Sequence, residues 1–164
     1  MKNTIKLISI LSLTIFLNSC KDEKLTLIKV PYEGNEIRID GYYYSYYVNN
    51  VNPPGECIVG FFLYRNGIML SARAYDKTDL DILEKNMLER YESLQEEKIG
   101  WGVFVVKENQ LVYEQWSTSV GGGLPVFKSS YNIENDTTLI NPYGEIYRFK
   151  QFSPKPDSTN RFIP

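Results

Sequence analysis

The chain has 164 residues, with 18 Lys and Arg against 20 Asp and Glu, two Cys and no His. The lack of His excludes Ser-His-Asp and Cys-His nucleophile systems and argues against a zinc site. The slightly acidic balance lacks the basic footprint that nucleic-acid binding requires. We therefore expect no nucleic-acid partner, no metal and no cofactor.

The first 20 residues have the features of a targeting segment. Lys2 and Lys6 precede an apolar run, residues 7–17, which is shorter than the roughly 20 residues that span a bilayer and is typical of a signal peptide. The run ends in Leu17-Asn18-Ser19-Cys20, which resembles the lipobox of bacterial lipoproteins. The resemblance implies that residues 1–19 are removed and that Cys20 carries acyl chains, which anchor the protein in a membrane. An ordinary secretory peptide with a chance Cys is the alternative.

The residues after Cys20 indicate where in the cell the protein is expected to be held. Lys21-Asp22-Glu23-Lys24 resembles a signal that routes some Gram-negative lipoproteins to the cell surface, and a plain solvated tether is the alternative. The resemblance implies a protein of the cell envelope, held at the outer membrane and facing the periplasm or the cell surface. With Cys20 lipidated, Cys57 has no disulfide partner, and its apolar surroundings predict a small buried hydrophobe.

A tyrosine-rich strand opens the folded domain. Residues 20–35 are expected to form a lipidated tether with a first edge strand over residues 25–30, and a long strand is predicted over residues 36–48. This strand holds five Tyr within six positions, and alternation places Tyr43 and Tyr47 on one face. Because Tyr combines an apolar ring with a polar tip, we take this face as a candidate ligand or partner surface that points outward. Ordinary packing in an aromatic core is the alternative.

A hairpin and a helix follow. Asn66-Gly67 between two apolar runs predicts a two-residue type I′ turn, which would place Phe61 opposite Ala72 and turn that face inward in a closed sheet. Beyond it, apolar residues recur three or four positions apart and predict an amphipathic helix over about 79–97. The residues of this stripe are Leu80, Leu83, Met87, Tyr91 and Leu94.

The ends and the packing of this helix can also be predicted. We expect Thr78 to be its N-cap and Glu84 to lie on its solvent-facing side. Packing of the apolar stripe on the protein's own sheet is favoured over a coiled-coil partner.

The remaining chain adds two hairpins, residues 101–119 and 125–140, and a last strand over residues 145–152. The predicted fold is mainly β, an antiparallel meander of about eight strands that forms a barrel or strongly curved sheet over residues 36–153, with a tail over residues 154–164. Its size, meander and lipoprotein context resemble lipocalin-like proteins, and Gly41-Tyr42-Tyr43 stands near the position of the lipocalin Gly-x-Trp. The resemblance implies a carrier of a small apolar ligand.

The functional expectation is non-catalytic binding or structural interaction, with no catalytic residues. We expect a filled core without a large apolar cavity, and a membrane, protein, glycan or small apolar partner. The alternatives are a lipocalin-like carrier and a carboxylate-dependent hydrolase, since Asp and Glu are plentiful.

Two short motifs are candidate modification sites. Asp136-Thr137-Thr138 and Asp157-Ser158-Thr159 resemble the Asp-Ser/Thr-x acceptor for O-glycosylation in some Gram-negative bacteria. Thr137 and Ser158 are therefore candidate acceptors. Asp followed by Ser or Thr is also common in turns.

Overall fold

The computed structural model describes residues 22–49, 55–74, 79–119 and 122–163. Within these ranges eight strands form a closed antiparallel barrel, in which each strand pairs with the next and the last pairs with the first. This confirms the predicted meander of about eight strands. The strands are β1 Gly41–Asn49, β2 Gly55–Leu63, β3 Ile68–Ala74, β4 Trp101–Lys107, β5 Gln110–Trp116, β6 Val126–Asn135, β7 Thr138–Ile140 and β8 Ile146–Gln151.

The barrel has one end covered by its own chain. We call this the closed end; it holds the β2–β3, β4–β5 and β6–β7 turns. Residues 32–40, which we call the plug, lie across it, and their side chains Tyr32 and Ile37 are only 7% and 2% exposed. The predicted strand over residues 36–48 is therefore wrong at its start. Residues 36–40 turn beneath the barrel, and the Arg38 N–H donates to the Asp136 carbonyl at 3.0 Å.

The β2–β3 turn differs from the predicted two-residue turn. The Tyr64 N–H donates to the Ile68 carbonyl, which leaves a three-residue loop whose Gly67 has φ 81°. This is the arrangement of a type I turn followed by a left-handed residue. The loop is held by the plug, because Arg65 donates from Nη1 to the Tyr32 carbonyl at 3.1 Å and the Tyr32 N–H donates to the Arg65 carbonyl at 2.8 Å.

The extra loop residue shifts the register by one position. Phe61 lies opposite Ser71 instead of Ala72, and Phe62 lies opposite Leu70. Because a one-residue shift moves side chains to the other face, Leu70 and Ala72 point away from the barrel interior.

The outer face of β1, β2 and β3 carries the helix α1, Leu80–Gln95. Leu83 and Met87 are 1% and 6% exposed and belong to an apolar cluster outside the barrel, as the predicted stripe requires. The helix is capped by Asp79, whose side chain accepts from the Asp81 N–H. Thr78, the predicted N-cap, lies outside the described residues.

Glu84 does not lie on a fully solvated side of α1. Its carboxylate accepts from the Tyr42 hydroxyl at 2.8 Å and pairs with Lys150 at 2.8 Å. The expectation of a solvent-facing Glu84 is wrong because side chains of β1 and β8 contact its carboxylate from the barrel wall.

The opposite end of the barrel, which the described residues leave uncovered, we call the open end. Residues 22–31, which we call the strap, run along the outer wall from the open end to the plug. The predicted tether and edge strand are wrong here: the described part of residues 20–35 packs against the barrel and contains no strand. The reason is Glu114, 1% exposed on β5, whose carboxylate accepts from the Thr26 and Leu27 N–H groups at 2.6 and 2.7 Å.

The C-terminal segment is also packed. Lys155 donates to the Ile39 and Leu63 carbonyls at the closed end. Asn160 is 5% exposed and donates to the Glu97 carbonyl beyond α1 at 2.8 Å. The described part of the predicted tail over residues 154–164 therefore belongs to the folded domain. Within the described ranges, no helix has the length and apolarity needed to cross a membrane.

Candidate functional site

The open end of the barrel leads into a cavity of about 540 Å³. This volume lies within the range of small-molecule sites, roughly 300–1,000 Å³. The cavity is surrounded by inward-facing side chains of the strands and by the β7–β8 loop. Those nearest its mouth include Tyr47, Phe127, Asn141, Tyr143 and Glu145.

Four aromatic rings form what we call the aromatic floor, composed of Phe61, Tyr113, Tyr131 and Tyr147. The Phe61 centroid lies 5.1 Å from that of Tyr131 and 5.7 Å from that of Tyr147. Tyr113 stacks on Tyr131 at 5.5 Å. These contacts join β2 to β5, β6 and β8 across the interior, and aromatic pairs at such separations contribute about 0.5–1.5 kcal/mol each beyond burial. The floor is thus a packed base from which the cavity opens.

The Tyr131 hydroxyl lies at the centre of the floor, between Tyr113 and Tyr147. Burial raises the pKa of Tyr131 well above its ordinary value, and the neighbouring Tyr113 and Tyr147 raise it further, partly through hydrogen bonds to the Tyr131 side chain. Tyr131 therefore keeps its proton at physiological pH. A phenol can donate and accept at once, so Tyr131 adds an uncharged hydrogen-bonding group to the ring surfaces of the floor.

The walls above the floor are polar but almost uncharged. Ser71 and Gln115 line the cavity, and the Ser71 hydroxyl donates a hydrogen bond to the Gln115 amide oxygen. Among the described acidic residues, Glu145 is the one that lines the cavity, and its carboxylate accepts from the Asn141 amide at 2.6 Å. A ligand in this cavity would meet ring faces, hydroxyls and amides, with a single carboxylate at the mouth.

The structure separates the two tyrosines predicted to form a surface. Tyr43 is 1% exposed, and its hydroxyl donates to the Asp136 carbonyl at 2.6 Å near the plug. Tyr47 is 42% exposed and lines the mouth of the cavity. The prediction that their shared face points outward is wrong: it points into the barrel, because α1 covers the opposite face through Tyr42.

The expected filled core holds for one half of the barrel. Near the closed end, the interior side chains are at most 5% exposed: Leu63, Phe104, Leu111, Ile133 and Leu139. Toward the open end the small side chains of Ser71, Ser117 and Ser129 line the space. Ala72, expected inside, instead packs in the outer cluster with α1.

Two of the other predicted site residues, Thr137 and Ser158, lie apart from the cavity. Cys57, predicted to be a small buried hydrophobe, is 5% exposed and lines the cavity. Thr137 is half-buried in the β6–β7 turn, where its hydroxyl donates to Asn135 at 2.9 Å. Ser158 is half-buried and accepts from the Asn66 amide at 2.9 Å. Cys20, the predicted lipidation site, lies outside the described residues.

The tyrosines of the floor were not among the predicted site residues. Tyr113, Tyr131 and Tyr147 each lie within a predicted strand, and the sequence signal was the total of 13 Tyr. Their meeting depends on closure of the barrel, which brings β5, β6 and β8 around Phe61.

The described residues contain no group of three or more Cys, Asp or Glu side chains placed to hold a metal ion. The fold and the cavity define a closed antiparallel barrel with one plugged end and one end that the described residues leave open. Comparison with protein-family models, curated proteins and solved structures found no match to this chain.

Proposed function

We propose that this chain is an envelope lipoprotein, anchored at the outer membrane through Cys20, whose barrel binds a small uncharged amphipathic ligand. The observation that carries the binding is the cavity of about 540 Å³, closed below by the aromatic floor and open at one end. The anchoring rests on the lipobox-like Leu17-Asn18-Ser19-Cys20, and the resemblance to lipocalin-like proteins agrees with a barrel that carries a ligand.

The lining indicates the ligand's chemistry. Phe61 and Met69 offer apolar surface deep in the cavity, whereas Ser117 and Asn141 offer hydrogen bonds near the mouth. A molecule with an apolar part and a hydroxyl or amide head satisfies both regions. A strongly anionic head would approach Glu145 with like charge, so a neutral ligand is favoured.

The residues that line the cavity also favour ligand binding over hydrolysis. A paired-carboxylate hydrolase needs two acidic groups facing one substrate. Among the described carboxylates that line the cavity, Glu145 stands with an amide partner, Asn141, in place of a second acid.

The test is titration of the chain without residues 1–20 with a neutral, environment-sensitive fluorescent monoacylglycerol. Saturable one-to-one binding at micromolar affinity or tighter is expected. Ser129→Trp places a large ring inside the cavity, since Ser129 lines it on β6, and should weaken binding by at least about tenfold.

Ser130→Trp is the matched control, because Ser130 is the next residue on β6 and faces away from the cavity. It should leave the affinity within about twofold of the unmodified chain. Equal loss of binding in both variants, or no saturable binding in the unmodified chain, would reject the cavity as the site.

A further inference from the structure

The strap fixes the start of the described chain at the open end of the barrel. Asp22 accepts from the Leu124 N–H at 3.1 Å and pairs with Lys98 at 2.7 Å. Glu23 accepts from the Val126 N–H through its carboxylate at 2.8 Å and from the Trp116 indole through its carbonyl at 2.7 Å. These partners belong to the segments that enter β4 and join β5 to β6, all at the end where the cavity opens.

Cys20 lies two positions before Asp22 in the sequence. Two residues of chain span at most about 7 Å. A lipid on Cys20 therefore enters the bilayer beside the open end, and no long tether separates the barrel from the membrane surface.

The open end carries exposed aromatic and apolar side chains that suit a membrane surface. Tyr47, Phe127 and Tyr143 line the mouth and are 42%, 49% and 89% exposed. Ile99 and Ile146, at the starts of β4 and β8, are 39% and 42% exposed. We call these five residues the aromatic rim. Aromatic rings with a polar tip favour the boundary between lipid and water.

From these observations we propose that the aromatic rim docks on the bilayer that holds the Cys20 lipid, so that the cavity opens toward the membrane surface. The ligand of the proposed function then comes from the lipid phase: a neutral, single-chain amphiphile that enters the cavity tail first. The inference rests on the anchoring in the proposed function. The acyl anchor keeps the rim at a high effective concentration near the bilayer, so weak contacts of a few side chains suffice.

The experiment uses the full chain, expressed with its own first 20 residues in a Gram-negative host, purified and reconstituted in phosphatidylcholine vesicles. Tyr143→Trp places a fluorescent reporter on the rim. Val30→Trp places the same reporter at the closed end, where Val30 is 50% exposed and its carbonyl lies beside Gly67. Both positions are exposed, so neither change disturbs the packing.

Phosphatidylcholine brominated near the head group quenches Trp at the interface. Quenching of Tyr143→Trp by at least about twofold beyond Val30→Trp is expected. The difference should persist in high salt, because the rim is aromatic and apolar and salt screens only charge.

Three outcomes would overturn the inference. Equal quenching of the two reporters, or stronger quenching of Val30→Trp, would show that the rim does not face the lipid while anchoring stands. Quenching that high salt removes would assign the contact to charge. Failure of the protein to stay with the vesicles would reject the anchor at Cys20, and the docking with it, while the cavity titration remains a separate measurement.

Discussion

Glu114→Gln is expected to lower the free energy of unfolding by about 3 kcal/mol at neutral pH. The Glu114 side chain is 2% exposed and accepts from the Thr26 N–H and hydroxyl, the Leu27 N–H and the Lys128 amine. Burial by itself raises the pKa of Glu114, but these hydrogen bonds outweigh it and lower the pKa from 4.5 to about 2. The expected loss of about 3 kcal/mol corresponds to this lowering of the Glu114 pKa, since one pKa unit is worth about 1.4 kcal/mol.

Because the pKa of Glu114 is lower in the folded state, its contribution to the free energy of unfolding depends on pH. A carboxyl whose folded pKa is depressed stabilises the fold above its unfolded pKa and loses that contribution as pH falls through the folded value. The difference between the unmodified chain and Glu114→Gln should therefore be full above about pH 5 and shrink toward zero near pH 2.

Urea unfolding of the chain without residues 1–20, followed by circular dichroism at several pH values, measures this difference. Glu134→Gln makes the same chemical change at an exposed position on β6 and should shift the midpoint little. If the two variants show the same pH profile, the carboxylate of Glu114 does not hold the strap as described.

Two further predictions concern the helix packing and the buried amine of Lys155. Leu83→Ala should lower the free energy of unfolding by about 2–5 kcal/mol, because Leu83 is 1% exposed under α1. Leu88→Ala, at a position 46% exposed on the same helix, should lower it far less. Equal urea midpoints for the two variants would contradict the packing of α1. Burial lowers the pKa of Lys155 to about 8, so the folded state favours the neutral amine and stability relative to Lys155→Met should rise between about pH 8 and pH 10.5. Thermal melts of both chains across that range measure the trend, and a falling difference would show that Lys155 is not desolvated.

The sequence predicts the helix and strands of this fold better than it predicts which of their faces pack together. The helix was predictable because Leu83, Met87 and Leu94 recur at helical spacing, and all three are buried. The face of β1 that points inward was not, since Tyr42 and Tyr43 have the same side chain and either could satisfy a core.

The β2–β3 register shows how a tertiary contact overrides local turn chemistry. Asn66-Gly67 favours a two-residue turn by itself, but Arg65 binds the plug through both its carbonyl and its guanidinium. An extra residue in the loop presents Arg65 to the plug. No local pattern around Asn66 contains that information, because the partner Tyr32 lies earlier in the chain.

The strap and the cavity could not be predicted from the sequence, because both depend on contacts between residues far apart in the chain. Glu114 sits 88 residues from Thr26, and an acidic residue within a strand is ordinarily solvated. The aromatic floor joins residues of four strands, and only the closed ring of strands places them together. The sequence contains 13 Tyr, but it does not show where their rings meet.

The pairing of β1 with β8 and the contact from Thr26 to Glu114 join segments that are far apart in the chain. Neither end of the chain can finish its structure until strands near the other end exist, so partial lengths of chain have no complete barrel to adopt. Contacts so distant in sequence slow folding. Delayed folding agrees with the proposed export, in which the chain would cross a membrane in an extended form before Cys20 is lipidated.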